Sequence, residues 1–312
     1  MISSFFGKTK PINYIIVLSF LFVFYWFVLF FLFDRVYSPL QLLFQTTVFV
    51  LLMLSFFIVN FITKRNKITG TNSFSLLFYV LLIVVFPNTI ADNSAVFCSF
   101  FLLLAIRRLI SMRSLRNVKL KIFDASVWVM VSSLFYDWAL LFMLVVFAAI
   151  YIYEPKNFRN WLVPFVALFT VLMISYSMLI LAGHSNFLVT HYKFALQFNT
   201  TYFLDWGNGT RLILYVLITF ITAVIAFLKL GSAGLGKIAS MRLIALYFIV
   251  GMILKVLTTT SDAYPILVTF FPAAVFMTNY IESIRKANVK EIVLMACMAI
   301  PFFVFLVEVT IK

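Results

Sequence analysis

The side chains able to do chemistry are few. Two histidines, His184 and His191, share a segment with Lys193 and Asp205, which runs into Trp206-Gly-Asn-Gly209. Imidazole titrates near neutral pH, so His191 is a candidate general acid/base or phosphate contact. His184 and His191 are seven apart, a spacing that places both on one helix face. The carboxylates that could act as a base are Asp34, after the first apolar run, and Asp137, between two short ones. Arg35, Arg211 and Lys255 are the cations that could steady a phosphate leaving group. Asp92 and Asp262 are further acids in the same set of loops. Lys255 and Asp262, seven apart, would lie about 10 Å from each other along one face. Lys255 either snorkels outward or faces an internal cavity where it binds a phosphate or carboxylate.

Several chemistries find no support. Gly231-Ser-Ala-Gly-Leu-Gly-Lys237 resembles the start of a phosphate-binding loop, but Ile238 stands where Mg²⁺ needs a Ser or Thr, and no strand precedes it. HExxH, CxxC and GxSxG are missing. Cys98 and Cys297 lie apart in apolar runs, so neither a disulfide framework nor a metal site is implied. No metal and no cofactor are expected. The segment from His184 to Thr210 is rich in aromatics, among them Phe187, Tyr192, Phe194 and Trp206. Such side chains settle at the headgroup layer. The segment reads as an interfacial anchor or, alternatively, as a lid over a site at the outer membrane surface.

The elements that must position these residues are membrane helices. Of 312 residues, 64% are hydrophobic and 11% charged, against about 45–50% and about 25% in soluble domains. The mean hydropathy is +1.11. A hydrocarbon core about 30 Å thick takes roughly 20 apolar residues per helix, enough here for about ten crossings. A soluble enzyme, a disordered chain and a disulfide scaffold are excluded. The 40 Phe residues read as lipid-facing bulk. Apolar runs cut by charges and turns give eleven helices: 14–33, 41–63, 73–86, 93–110, 122–135, 138–153, 157–183, 211–229, 240–258, 264–284 and 291–311. The expected fold is all-α and polytopic, a single integral membrane domain over 1–312 with no soluble domain. The run 122–135 is short. Either its helix begins earlier, with Lys119 and Lys121 snorkelling, or the pair around Asp137 is a re-entrant hairpin with that acid at membrane depth.

The net charge of +14 would suggest nucleic acid in a soluble protein. Here nineteen of the 24 basic residues fall in alternate segments, around 8–10, 64–67, 107–121, 156–159, 229–242 and 285–290. Arg35, Lys193, Arg211, Lys255 and Lys312 fall in the others. Cytoplasmic loops collect Lys and Arg, so the pattern reads as N-in, C-out, with no nucleic-acid partner.

The opening Met1-Ile-Ser-Ser-Phe-Phe-Gly-Lys-Thr-Lys-Pro-Ile-Asn-Tyr14 resembles an uncharacterised family of bacterial polytopic inner-membrane proteins. Some members carry a label as carotene-cleaving oxygenases. That chemistry uses four histidines at iron, and this chain has two. In plan the chain is also similar to membrane glycosyltransferases that use polyprenyl-linked sugars, including O-antigen ligases and polymerases. That similarity implies an outer-facing site drawn from Asp34, Asp92, His191, Asp205 and Arg211. The short loop after the first helix departs from one branch of those enzymes.

Three functional readings follow. The first is a protein of the bacterial cytoplasmic membrane acting at the outer leaflet on a lipid-linked anionic substrate. Asp34, Asp137 or His191 would be the base, and Arg35, Arg211 or Lys255 the phosphate contact. The second is a non-catalytic membrane subunit of an envelope assembly or secretion complex, with membrane-protein partners. The third, a transporter, needs an internal polar pathway, for which only Lys255 and Asp137 are at hand.

Overall fold

The computed structural model describes residues 2–196, 206–232, 234–258 and 264–311. Among them, each of the eleven apolar runs forms a helix: α1 (Pro11–Phe27), α2 (Pro39–Arg65), α3 (Phe74–Val85), α4 (Asn93–Ser111), α5 (Val118–Ser133), α6 (Met143–Tyr153), α7 (Phe158–Leu181), α8 (Trp206–Leu228), α9 (Leu235–Leu257), α10 (Phe270–Ser283) and α11 (Ala287–Ile311). Among the described residues eight stretches are long and apolar enough to cross a membrane, and the chain is an all-α, multi-pass membrane protein. The shorter segments are α3 at 12 residues, α5 at 16 and the stretch Asp137–Tyr153.

Local sequence sets the helix ends. Pro11 and Pro39 open α1 and α2, where a missing N–H costs nothing. Ser38 and Gln41 form a reciprocal capping box at the start of α2: Gln41 N donates to Ser38 Oγ at 3.4 Å, and Ser38 N to Gln41 Oε1 at 2.9 Å. Pro87 ends α3, and a turn over Asn88–Ala91 leads to Asp92, which caps α4. The helix α5 starts at Val118, four residues before the apolar run itself. Lys121 there donates to Ser111 O at 2.7 Å and Ser114 Oγ at 2.6 Å, satisfying the end of α4.

The layering is that of a membrane protein. In the stretch Pro265–Ser283, which includes α10, 72% of the most apolar part is buried, against 17% in α7 and in α11. The outer helices turn Phe31, Phe169, Leu181, Phe220 and Phe303 outward, as lipid contact requires. The short α3 is buried along its length, packed against α2, α10 and α11. At about 1.5 Å per residue it is roughly 18 Å long, less than the hydrocarbon thickness. A helix can stop at such depth only where protein surrounds its end. That interior holds two further breaks: 3₁₀ turns at Asp137–Phe142, before α6, and at Pro265–Thr269, before α10. Gly251 in α9 lets the second turn come close, because a Cβ there would stand 2.7 Å from Thr269 Cγ2.

The basic segments meet at one end of the bundle. Thr9 donates to Thr71 O, Glu282 accepts from Gly70 N, and Arg113 packs on Gly236. Gly236 is therefore helical in α9 and packed, and a 3₁₀ turn over Lys229–Ser232 lies before that helix.

Candidate functional site

At the opposite end, the interrupted helices α3/α4, α5/α6 and α9/α10 converge on Asp92. Its Oδ1 accepts from Ala95 N at 3.1 Å, the N-cap bond of α4. Its Oδ2 accepts from Tyr264 N at 2.7 Å and from the Tyr136 hydroxyl. Lys255, wholly buried near the end of α9, lies within electrostatic reach of Asp92 and has its ammonium 5.6 Å from the Tyr264 ring centroid. A cation and an acid buried together, with an aromatic face on the cation, make the most enclosed charged centre among the described residues. Lys255 therefore takes the inward alternative rather than snorkelling. Its described carboxylate neighbour is Asp92; Asp262, the partner suggested by spacing, lies outside the described residues, as does Asp205.

Asp137 and His191 come together next to this centre, as braces for the chain. Asp137 Oδ1 accepts from Trp138 N at 2.8 Å, and Oδ2 from Phe194 N at 2.9 Å. His191 Nε2 donates to Ser133 O at 2.8 Å, at the C-terminal end of α5 where carbonyls lack partners. The His191 ring stacks on Phe187 at 5.1 Å and meets Tyr192 edge-on. The Tyr192 hydroxyl pairs with Ser133 Oγ at 2.8 Å. Burial pushes that hydroxyl above its ordinary pKa, and the nearby Asp137 charge adds to this, while the Ser133 bond works the other way. Trp138 Nε1 reaches Ala195 O at 3.1 Å. The segment 191–195 is thus tied down over the α5/α6 corner. The expected common face for both histidines does not form, because helix covers only Phe187–His191 and His184 lies before it, exposed. Gly183, at φ +76°, is what ends α7 there.

Arg211 sits elsewhere. From the second turn of α8 it pairs with Glu308 of α11 at 2.9 Å and donates to Val85 O, the last residue of α3, at 3.3 Å. Each charge sits toward the helix end whose dipole disfavours it, and pairing offsets that. Arg211 borders a cavity of about 360 Å³ between α3, α8, α10 and α11, otherwise almost wholly apolar, with Leu81, Leu214, Tyr215, Pro301 and Val304 in its walls. The break that follows Val85 carries the chain from this cavity to Asp92.

Asp34 and Arg35 join neither group. Asp34 is exposed at φ +47°, in the left-handed region that Asp tolerates, and Arg35 lies 5.9 Å from the Phe33 ring centroid. The six candidates are thus distributed over four places: Asp137 with His191, Asp34 beside Arg35 after α1, and Arg211 and Lys255 each apart. Sequence reasoning missed Tyr136, Tyr264 and Glu308. A lone acid inside the apolar run 291–311 is itself a signal, since intramembrane charges need a partner. Among the described residues, no three His, Cys, Asp or Glu side chains gather as a metal site. No protein-family model, curated protein or solved structure matches this chain.

Proposed function

We propose that this chain is a multi-pass protein of the bacterial cytoplasmic membrane, with eleven crossings, N-in and C-out, that holds a lipid-linked anionic substrate at the outer leaflet. The carrying observation is the cavity of about 360 Å³ with Arg211 at its border. Its apolar walls suit an isoprenoid or acyl chain, and the guanidinium suits a phosphate. Arg211 uses one nitrogen on Glu308 and Val85 O, so its remaining N–H groups are the ones a phosphate oxygen would meet. The gathering of basic loops at the other end supports the orientation. Resemblance to polyprenyl-dependent glycosyltransferases and ligases agrees with such a substrate. Asp137 and His191, engaged as braces, lie away from this cavity, so the geometry supports binding and positioning more directly than transfer chemistry.

The test is retention of undecaprenyl phosphate by the purified protein, followed by native mass spectrometry. Leu214→Trp, at an exposed groove position, and Arg211→Gln should each lower retention at least tenfold, while Leu217→Trp, outside the groove walls, should not. Equal retention in all three would remove the reading. A second reading, a non-catalytic subunit of an envelope assembly or secretion complex, is favoured by the bracing roles of Asp137 and His191. Stable co-purification of partner membrane proteins after gentle extraction, unaffected by Leu214→Trp, would favour it instead.

A further inference from the structure

The basic end carries a second arrangement that the proposed substrate does not use. Arg65 closes α2 and Arg107 lies in the penultimate turn of α4. Both guanidiniums lie over one ring, 5.8 Å and 4.7 Å from the Phe61 centroid. Lys64 sits 4.9 Å from the Tyr14 centroid and donates to its hydroxyl, which in turn donates to Asn60 Oδ1 at 3.2 Å. Among the described residues no carboxylate comes within 4 Å of Lys64, Arg65 or Arg107, whereas the adjacent Arg108 has Asp124 at 2.9 Å. The charges felt by Arg107 are those of Arg65 and Arg108, both cations.

Two guanidiniums sharing a ring repel each other, and the cation–π contact each makes at an exposed site is weak. An anion between them would turn that repulsion into two charge-assisted contacts. Phe57, Asn60, Phe61, Lys64 and Arg65 line an open cavity of about 760 Å³. Above it, Val50, Leu54, Phe57 and Phe61 are exposed along one face of α2. A phosphate at the cations and an acyl chain along this stripe would use both features. We propose that this is a binding site for one anionic phospholipid of the leaflet at the basic end, its phosphate held by Arg65 and Arg107 and its chain lying along Val50, Leu54 and Phe57.

The experiment compares phosphatidylglycerol with phosphatidylcholine on the detergent-purified full chain by native mass spectrometry, with inorganic phosphate as competitor. Phosphatidylglycerol should be retained at least tenfold more than phosphatidylcholine. The double variant Arg65→Gln/Arg107→Gln should abolish that preference, and Arg65→Lys/Arg107→Lys should keep part of it. Arg116→Gln/Lys119→Gln, which removes two exposed cations of the same end, should leave it intact. Monodisperse elution of each variant separates lost binding from lost fold. Equal retention of the two lipids, or an unchanged preference in Arg65→Gln/Arg107→Gln, would overturn the proposal. So would displacement of phosphatidylglycerol by an equal concentration of inorganic phosphate.

Discussion

Asp92 and Asp137 stand at neighbouring corners of the same end of the bundle, and both hold a chain reversal through backbone amides. Asp92 grips Ala95 N and Tyr264 N, and Asp137 grips Trp138 N and Phe194 N. Their surroundings differ. Asp92 is buried, takes a tyrosine hydroxyl as well and faces the buried Lys255. Asp137 is half-buried and ties down a segment at the surface. The same local chemistry therefore serves the junction of three interrupted helices in one place and a surface strap in the other. What separates them is solvent: water can replace the partners of Asp137 but not those of Asp92.

The sharpest way to break this contrast is to remove the buried acid. Asp92→Ala removes the acceptor shared by Ala95 N, Tyr264 N and the Tyr136 hydroxyl, and should cost about 3–5 kcal/mol, at roughly 1–3 kcal/mol for each buried donor that loses its acceptor. Thermal unfolding in detergent would read it, together with faster thiol labelling of the buried Cys98. An unchanged midpoint would reduce Asp92 to the level of Asp137. Lys255→Met should cost less, at most about 3 kcal/mol, because Asp92 keeps its three donors while the apolar Met fills similar space. If it proved worse than Asp92→Ala, the cation rather than the acid would organise the centre.

Asp137→Asn should lower stability by only about 1 kcal/mol, the net worth of one hydrogen bond. Its signature is local: amide exchange at Phe194 should rise roughly fivefold, with exchange in α3 unchanged. Spread of the effect into α3 would show that the two corners are one unit. The smallest change belongs to Asp34→Ala, which should fall within about 0.5 kcal/mol because Asp34 is exposed. A larger loss would call for a partner at the end of α1.

Much of the architecture was legible in the sequence. Apolar runs and the charges between them located the helices, eight of which among the described residues are long and apolar enough to cross a membrane, because lipid forces long apolar stretches into helix whatever the packing. The early start of α5, at Val118, was one of the two readings weighed from its length, but at 16 residues it is still shorter than the hydrocarbon core, so the re-entrant alternative around Asp137 stands beside it. The candidate site was less legible. Arg211 and Lys255 stood out as isolated cations, yet Glu308 hid in an apolar run, and the reach of Tyr136 and Tyr264 to Asp92 depends on how far the 3₁₀ turns advance. His184 and His191 were misjudged because a helical spacing was assumed across a segment whose helix covers only Phe187–His191.

From its sequence alone this chain is committed to being helical and membrane-embedded, with its cations on alternate loops. Hydrophobicity and charge act on each segment independently, so they can be read one segment at a time. Which acid meets which cation was decided only by the tertiary structure. Asp92 and Lys255, Arg211 and Glu308, and Arg65 and Arg107 each come from separate helices. Their meeting depends on helix order, on the breaks at Pro87 and Pro265 and on the close approach allowed at Gly251. Those are properties of packing between segments, and no single stretch of sequence carries them.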